Sequence, residues 1–169
     1  MKTQLKLMLL FIAVSFIVFT GCKKDDPRGG KKKFSGTGYF DAKDVCNSAS
    51  KGATYSLTMT GDLEGCLYFF VDEFSCTDGN YLEKGRELFI GTYKGKSGSF
   101  RTTYDAQAKY EGCNPDGTYA GAQISGQCQH PIVEGSGTGV FAGVTGYYDI
   151  IDNVKANPVN YSYKGYFKF

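Results

Sequence analysis

A repeated alternation of apolar and polar residues with a period of two constrains the fold most strongly. It is clearest in the segments 53–60, 100–110 and 161–169. In the second segment, every second residue from Phe100 to Tyr110 forms one face, and polar or charged residues form the other. Such alternation is typical of half-buried strands in an antiparallel sheet.

Further strands are predicted in five less regular segments, 35–40, 66–71, 86–93, 118–125 and 140–151. The total is about eight strands, and turn residues separate them. The 23 glycines disfavour a helical bundle, because glycine weakens helix interiors. Closure of the sheet removes its unpaired edges, so we predict an all-β fold, a closed antiparallel barrel of eight strands. Segment 66–71 is apolar on both faces and is expected to be central or covered by a loop.

The N-terminus has the pattern of an export signal. Lys2 and Lys6 precede an apolar run, 7–19, that is shorter than the roughly 20 residues needed to cross a bilayer. Residues 19–22, Phe-Thr-Gly-Cys, resemble the lipobox of bacterial lipoproteins, which implies cleavage after residue 21 and acylation (palmitate or a related chain) of Cys22. The alternatives are a buried core helix and an ordinary secretory signal followed by an incidental cysteine.

The segment after Cys22 contains no apolar residue up to position 33 and is predicted to be a flexible, charged tether. Domain boundaries are therefore expected at 1–21 (signal peptide), 22–33 (lipidated cysteine and tether) and 34–169 (barrel domain). Lysines followed by Asp25 and Asp26 resemble a short signal that directs some Gram-negative lipoproteins to the outer face of the outer membrane, although a merely solvated spacer is the alternative. We expect a protein of the cell envelope, anchored to the outer membrane through its lipid.

Charge and composition exclude several classes of function. From Phe34 onward the chain has 11 basic and 15 acidic residues, a net charge of −4, which disfavours nucleic-acid binding. The chain has one histidine, so a site that needs two imidazoles is excluded. We expect no metal, no cofactor and no nucleic-acid partner.

A family resemblance is carried by residues 135–146, Gly-Ser-Gly-Thr-Gly-Val-Phe-Ala-Gly-Val-Thr-Gly, followed by Tyr-Tyr-Asp. This segment is similar to the G-T-G-x-F-x-G-x-T-G hairpin of allene oxide cyclase-like barrels. The resemblance implies a small eight-stranded barrel of the calycin type. Plant members of that family isomerise a fatty-acid epoxide in a hydrophobic lumen, but none of their catalytic residues is carried over to this sequence.

Five cysteines remain in the predicted barrel domain, at positions 46, 66, 76, 113 and 128. In an exported chain they indicate two disulfides and one free thiol. Our first choice is Cys113–Cys128, which brackets a hairpin, and our second is Cys66–Cys76, which leaves Cys46 free. The alternative role for a cysteine is a thiolate nucleophile beside His130.

Two residues are weak candidates for catalysis. His130 is the only side chain with an unperturbed pKa near neutrality, and we expect it at a strand end near the barrel rim, where a structural role is the alternative. Glu87 shares its face with Phe89 and Tyr93. An inward carboxylate among aromatic rings would have a raised pKa, so it could act as an acid or a base. The alternative for Glu87 is reversed strand parity or a position at the rim. The carboxylate pairs 72/73 and 149/152 each differ in parity and do not face one another as a glycosidase requires.

Aromatic residues predicted to face the lumen either line a ligand cavity or fill the barrel. They are Tyr55, Tyr68, Phe70, Tyr93, Tyr104, Tyr163 and Phe167. The first functional hypothesis is a non-enzymatic barrel that binds a small apolar ligand or an envelope protein, or that is structural. The alternatives are an isomerase or cyclase for a hydrophobic substrate, and an adhesin or inhibitor acting through exposed loops. A lumen without a cavity of a few hundred Å³ would exclude both a carrier and an enzyme, whereas a deep cavity with Glu87 or His130 at its base would favour the isomerase or cyclase.

Overall fold

The predicted strands form, and most of them are longer than their sequence patterns suggest. The computed structural model describes residues 30–169. In chain order the strands are β1 (Lys32–Phe40), β2 (Tyr55–Gly61), β3 (Leu63–Thr77), β4 (Asn80–Tyr93), β5 (Lys96–Cys113), β6 (Tyr119–Pro131), β7 (Thr138–Gly139), β8 (Thr145–Asn153) and β9 (Asn160–Lys168). A 3₁₀ helix, Ser48–Lys51, lies between β1 and β2. Strand β1 begins two residues before the expected start of the barrel domain at Phe34, so Lys32 and Lys33 belong to the sheet.

The strands close into an antiparallel barrel, as predicted. Around the barrel the order is β1, β2, β3, β4, β5, β6, β8, β9 and back to β1, and all neighbours are antiparallel. The two-residue strand β7 pairs only with the start of β5. This is the architecture of calycin-like barrels.

Two tight turns connect the longest strands. Asp78 and Gly79 join β3 to β4, and Lys94 and Gly95 join β4 to β5. All four residues have positive φ, between 50° and 73°. Two consecutive residues of positive φ produce a turn whose twist matches that of the flanking strands, which explains why the second position is glycine in both turns.

One end of the barrel is filled by an aromatic plug, which consists of Phe34, Phe89, Phe100, Phe141 and Phe167. The rings of Phe34 and Phe167 stack with centroids 4.0 Å apart, and Phe100 packs edge-on against Phe141 at 4.9 Å. All five side chains are almost completely buried. The plug therefore closes this end of the lumen and contributes dispersion and apolar burial to the core.

Residues 132–144 form a cap over the plug and not the first half of a strand. The segment 140–151 was predicted as one strand, but β8 begins only at Thr145. The preceding residues make a series of turns in which Phe141 and Val144 are fully buried. Phe141 and Val144 are spaced by three, so they do not follow the period of two that a strand requires.

The loop 41–54 covers the outer face of β3, as expected for a strand that is apolar on both faces. Tyr68 points outward and is nevertheless buried, because this loop covers it. Its hydroxyl donates a hydrogen bond to the Cys46 carbonyl oxygen at 3.0 Å. The Cys46–Cys66 disulfide attaches the same loop to β3. A second disulfide, Cys76–Cys113, joins β3 to β5 across β4.

The prediction of two disulfides and one thiol is confirmed, but both predicted pairs are wrong. Cys66 and Cys76 lie on the same strand, about 33 Å apart at about 3.3 Å per residue, so they cannot bond. Cys128 faces Ala106 in the register of β5 and β6, whereas Cys113 is at the far end of β5. The free thiol is therefore Cys128, which is buried, and burial raises its pKa well above the ordinary range and opposes a role as a nucleophile.

Candidate ligand cavity

The half of the lumen opposite the plug is an open cavity of about 520 Å³, a volume in the range of small-molecule sites. All eight strands of the barrel contribute to its wall. The lining residues are Phe40, Tyr55, Leu57, Phe69, Tyr81, Glu83, Tyr104, Ala106, Gln107, Ala108, Tyr110, Tyr119, Gln123, Gln127, Cys128, His130, Ile150, Asp152 and Tyr161. Phe40 and Tyr119 are exposed at the mouth, and His130 is at the base.

Glu83 is held in the wall by three tyrosine hydroxyls. Tyr55 and Tyr104 donate hydrogen bonds to Oε1 at 3.0 and 2.8 Å, and Tyr81 donates to Oε2 at 2.7 Å. Burial, together with the neighbouring carboxylate, raises the pKa of each of these tyrosines. The hydroxyls therefore remain protonated donors at neutral pH and fix the carboxylate in one orientation.

Tyr104 reaches Glu83 because residue 85, between Glu83 and Glu87 on the inner face of β4, is glycine. A Cβ at Gly85 would lie 2.7 Å from a ring carbon of Tyr104 and 2.2 Å from the carbonyl oxygen of Phe70. Neither distance is sterically allowed. Because Gly85 has no side chain, the Tyr104 ring fits between Glu83 in the upper part of the wall and His130 at the base.

Asp152, on β8, is a second carboxylate in the wall. Its Oδ2 accepts a hydrogen bond from the side-chain amide of Gln123 on β6. Burial raises the pKa of Asp152, while the Gln123 hydrogen bond and the nearby His130 oppose that shift. The ionised side chain is therefore less stable here than in water.

Glu87 and His130 form a buried pair beneath the cavity. Glu87 is 1% exposed and His130 is 0% exposed, and Oε2 of the carboxylate lies 2.8 Å from Nδ1 of the imidazole. Thr102 and Tyr148 also donate hydrogen bonds to this oxygen, Tyr148 at 3.2 Å. Because an ionised carboxylate only accepts hydrogen bonds, this arrangement places a proton on Nδ1, and in the neutral imidazole the lone pair is then on Nε2.

The imidazole ring is fixed by stacking as well as by hydrogen bonding. It lies 4.5 Å from the Tyr148 ring at an interplanar angle of 3°, and 6.2 Å from the Tyr104 ring. Within residues 30–169, Nε2 has no hydrogen-bond partner, and the residue lines the cavity. His130 therefore borders the base of the cavity with a buried, unpaired nitrogen, and Glu87 binds the other nitrogen of its ring.

The candidate residues are brought together more closely than their positions in the sequence suggest. Glu87 faces inward, as the parity of Phe89 predicts. His130 is near the end of β6, as expected, but it lies inside the barrel, so its predicted position at the rim is wrong. The reason is that β6 continues to Pro131 and buries its last inward-facing side chain against β5 and β8.

Five of the seven aromatic residues predicted to face the lumen do so. Tyr55 and Tyr104 line the cavity, and Tyr93, Tyr163 and Phe167 are buried in the closed half. The prediction is wrong for Tyr68 and Phe70, which point outward, while Leu67 and Phe69 take the inner face. In a run that is apolar on both faces, alternation does not distinguish the inner parity from the outer.

Several cavity residues were not identified from the sequence. Glu83 and Tyr81 share the inward parity of Glu87, so extending the predicted strand 86–93 toward its N-terminus would have found both. Asp152 follows Tyr148 and Ile150 on the inner face of β8. By contrast, Asp72 lies outside the barrel, where the guanidinium of Arg86 pairs with it at 2.7 Å.

In the described part of the chain, no group of three or more His, Cys, Asp or Glu side chains is arranged to hold a metal ion. The same residues include no helix long and apolar enough to cross a membrane. Comparison of the chain with protein-family models, curated proteins and solved structures finds no match. The site is therefore interpreted from its own chemistry.

We predict that Asp152→Asn stabilises the protein at neutral pH, because the asparagine oxygen can still accept from Gln123 and no charge is buried. Native Asp152 binds its proton more tightly than the unfolded chain does. The free energy of unfolding should therefore fall as the pH rises from the unfolded pKa near 4 through the raised native value. The variant should lack this fall, and its melting temperature at pH 7 should rise by about 2–4 °C, as about 1 kcal/mol produces in a domain of this size.

Calorimetric melting curves between pH 3 and 8 measure both effects. Asp149→Asn, on the outer face of the same strand, is the matched control and should change neither the melting temperature nor its pH profile. A lower melting temperature for Asp152→Asn at pH 7 would contradict the assignment.

Proposed function

We propose that this chain is a lipid-anchored protein of the cell envelope whose barrel binds a small molecule in its open half. The observation that carries the proposal is the cavity of about 520 Å³, lined by aromatic rings and by a few polar groups in fixed positions. A barrel with a purely structural role would gain stability by filling this space, as the plug fills the other end.

The direction of β1 supports the combination of an anchor and a binding site. Its first residue, Lys32, pairs with Phe167 at the plugged end, and its last, Phe40, lines the cavity. A lipid on Cys22, which lies outside the described residues, would attach the barrel by its plugged end. The mouth would then face away from the membrane. The proposed attachment to the outer membrane depends on the N-terminal sequence.

Relationship to allene oxide cyclase-like barrels is part of this proposal. It is supported by the motif in residues 135–146 and by the number of strands. In this chain the motif builds most of the cap over the plug, and none of its residues lines the cavity. Any shared ancestry therefore says nothing about the ligand.

We predict that Cys22→Ser releases the protein from the membrane, because no thiol remains to form the thioether. The measurement is detergent phase separation of cells labelled with a radioactive or clickable palmitate. Cys128→Ser, which removes the other unpaired thiol, should retain both the label and the membrane fraction. Label that remains on Cys22→Ser would disprove the anchor without affecting the cavity.

We predict that the neutral fluorophore N-phenyl-1-naphthylamine binds the barrel and brightens, because the cavity removes its rings from water. Ala108→Trp places an indole in the cavity and should weaken binding at least about tenfold, a change of about 1.4 kcal/mol. Ala122→Trp, at an exposed position on β6, is the control and should bind as the wild type does. Equal binding by the two tryptophan variants would contradict the proposed site, and native mass spectrometry of protein extracted from its own membrane would show a retained ligand directly.

A second candidate function is acid–base catalysis, such as an isomerisation, on a molecule in the cavity. It is favoured by the buried, unpaired Nε2 of His130, a residue that lines the cavity, while Glu87 holds Nδ1. In such a reaction Nε2 would take a proton from the substrate and return it at another position. Glu87 would stabilise the imidazolium that forms in between, as a positioning residue.

We predict that the barrel accelerates the base-catalysed ring opening of 5-nitrobenzisoxazole, a neutral probe whose reaction needs only one proton abstraction. His130→Gln should remove this acceleration, and Glu87→Gln should reduce it by about 10²-fold, the lower range for a positioned base. Absorbance of the phenolate product measures the rate.

Because the chain has a single histidine, ¹⁵N NMR of the labelled protein reports its tautomer without overlap. The proton should be on Nδ1 in the wild type and in Thr102→Val, which removes another donor to Glu87 but leaves the imidazole intact. Acceleration that persists in His130→Gln, or a proton on Nε2, would exclude this candidate.

A further inference from the structure

We propose that the ligand of this cavity is an organic cation, bound by the faces of the aromatic rings and by the carboxylates of Glu83 and Asp152. This inference rests on the proposed binding function and names the class of its ligand. It is carried by four observations. They are the carboxylates in the wall, the absence of a lysine or arginine paired with them in the described chain, the tyrosine rings at the mouth, and the unpaired nitrogen of His130 at the base.

Apart from the imidazole of His130, the ionisable groups with a formal charge at neutral pH that line the cavity are carboxylates. Glu83 is on β4 and Asp152 is on β8, so the two carboxylates lie on different walls, separated by β5 and β6. No lysine or arginine is among the lining residues. A low-dielectric pocket with acidic walls attracts cations and repels anions, so the cavity disfavours a fatty acid or a phosphate.

Neither carboxylate is paired with a cation in the described chain. Glu83 accepts three tyrosine hydroxyls and Asp152 accepts an amide, and these neutral dipoles orient a charge without neutralising it. Carboxylates on the outside of the barrel are different, because Asp72 pairs with Arg86 and Asp105 pairs with Lys84. The inner wall therefore has the charge for which a bound cation would be the counterion.

Aromatic rings provide the second half of a cation site. At the mouth, the Tyr110 and Tyr119 rings stack 4.1 Å apart, and Tyr81 meets Tyr119 at 5.3 Å and an interplanar angle of 87°. Walls at right angles allow one cation to contact more than one ring, as in the aromatic cages that bind quaternary ammonium groups.

The protein's own cations do not use these faces. In the described chain, the lysines that lie over aromatic rings contact Tyr93, Tyr166 and Phe169, none of which lines the cavity. The ring faces that the stacked pairs Tyr110–Tyr119 and Tyr55–Phe69 leave open are therefore not occupied by a lysine of the described chain.

At the base, Nε2 of His130 is fully buried and has no partner among the described residues. In the neutral imidazole with Nδ1 protonated against Glu87, Nε2 is an acceptor, which a hydroxyl or N–H group of the ligand would satisfy. The cavity thus fits a molecule with an ammonium or quaternary ammonium group among the tyrosines and carboxylates and a hydrogen-bond donor at its inner end.

Three small probes of similar shape test the charge. Choline carries the cation and a hydroxyl, 3,3-dimethyl-1-butanol is its neutral isostere, and glycine betaine adds a carboxylate. NMR titration of the full-length protein should show choline binding at least about tenfold more tightly than the isostere, with its N-methyl protons shifted upfield by the rings. Glycine betaine should bind more weakly than choline, because its carboxylate meets the acidic wall.

Variants locate the interaction. Glu83→Gln and Asp152→Asn should each weaken choline binding by about tenfold and leave the isostere unchanged. Asp149→Asn, an outward-facing residue of the same strand as Asp152, is the matched control and should have no effect. Tyr119→Leu should lose the upfield shift, whereas Tyr147→Leu on the outer surface should retain it. Far-UV circular dichroism and melting curves verify that each variant is folded.

The outcomes separate this inference from the function on which it rests. Equal affinity for choline and its isostere, or choline binding unchanged in both Glu83→Gln and Asp152→Asn, overturns the cationic ligand. If choline fails to bind while N-phenyl-1-naphthylamine binds and Ala108→Trp blocks it, the cation class is wrong and the binding function stands. If neither probe binds, both fail.

Discussion

Closure of the sheet is the constraint on which the rest of the structure depends. Eight antiparallel strands enclose a lumen of nearly fixed width, so every inward-facing position contributes either to a packed core or to a cavity. Five phenylalanines fill one end completely. At the other end the inward positions carry tyrosines, small alanines and carboxylates, which leave an open space. The contrast between two ends of one lumen argues that the open half has been kept open by its residues.

The polar groups of the open half work against the stability of the barrel. Glu87 is a fully buried carboxylate and Glu83 and Asp152 are partly buried ones, and the groups that bind them are neutral donors or the imidazole of His130, not lysines or arginines. Such groups are commonly retained where a protein binds or transforms a ligand, because there they recognise charge or move protons. The disulfides Cys46–Cys66 and Cys76–Cys113 and the plug supply stability elsewhere.

Strand content and closure could be predicted because alternation reports a local property, namely which residues face the core. The same rule predicted that Glu87 faces inward, and it correctly placed Phe100, Thr102 and Tyr104 on the inner face. It failed in segment 66–71, where both faces are apolar because a loop covers the outer one. Alternation could not predict the disulfide pairing either. Cys76 and Cys113 are distant in the sequence, and they meet because their strands, β3 and β5, lie on either side of β4 in the sheet.

The sequence by itself determined an all-β barrel with two disulfides, an acidic body and an inward glutamate, because periodicity, composition and charge are properties of neighbouring residues. Only the tertiary structure decided that Glu87 meets His130, that three tyrosines converge on Glu83, and that one half of the lumen is open. These contacts join residues up to 43 positions apart, as Glu87 and His130 are. Their geometry depends on the register around the closed barrel, which no local pattern specifies.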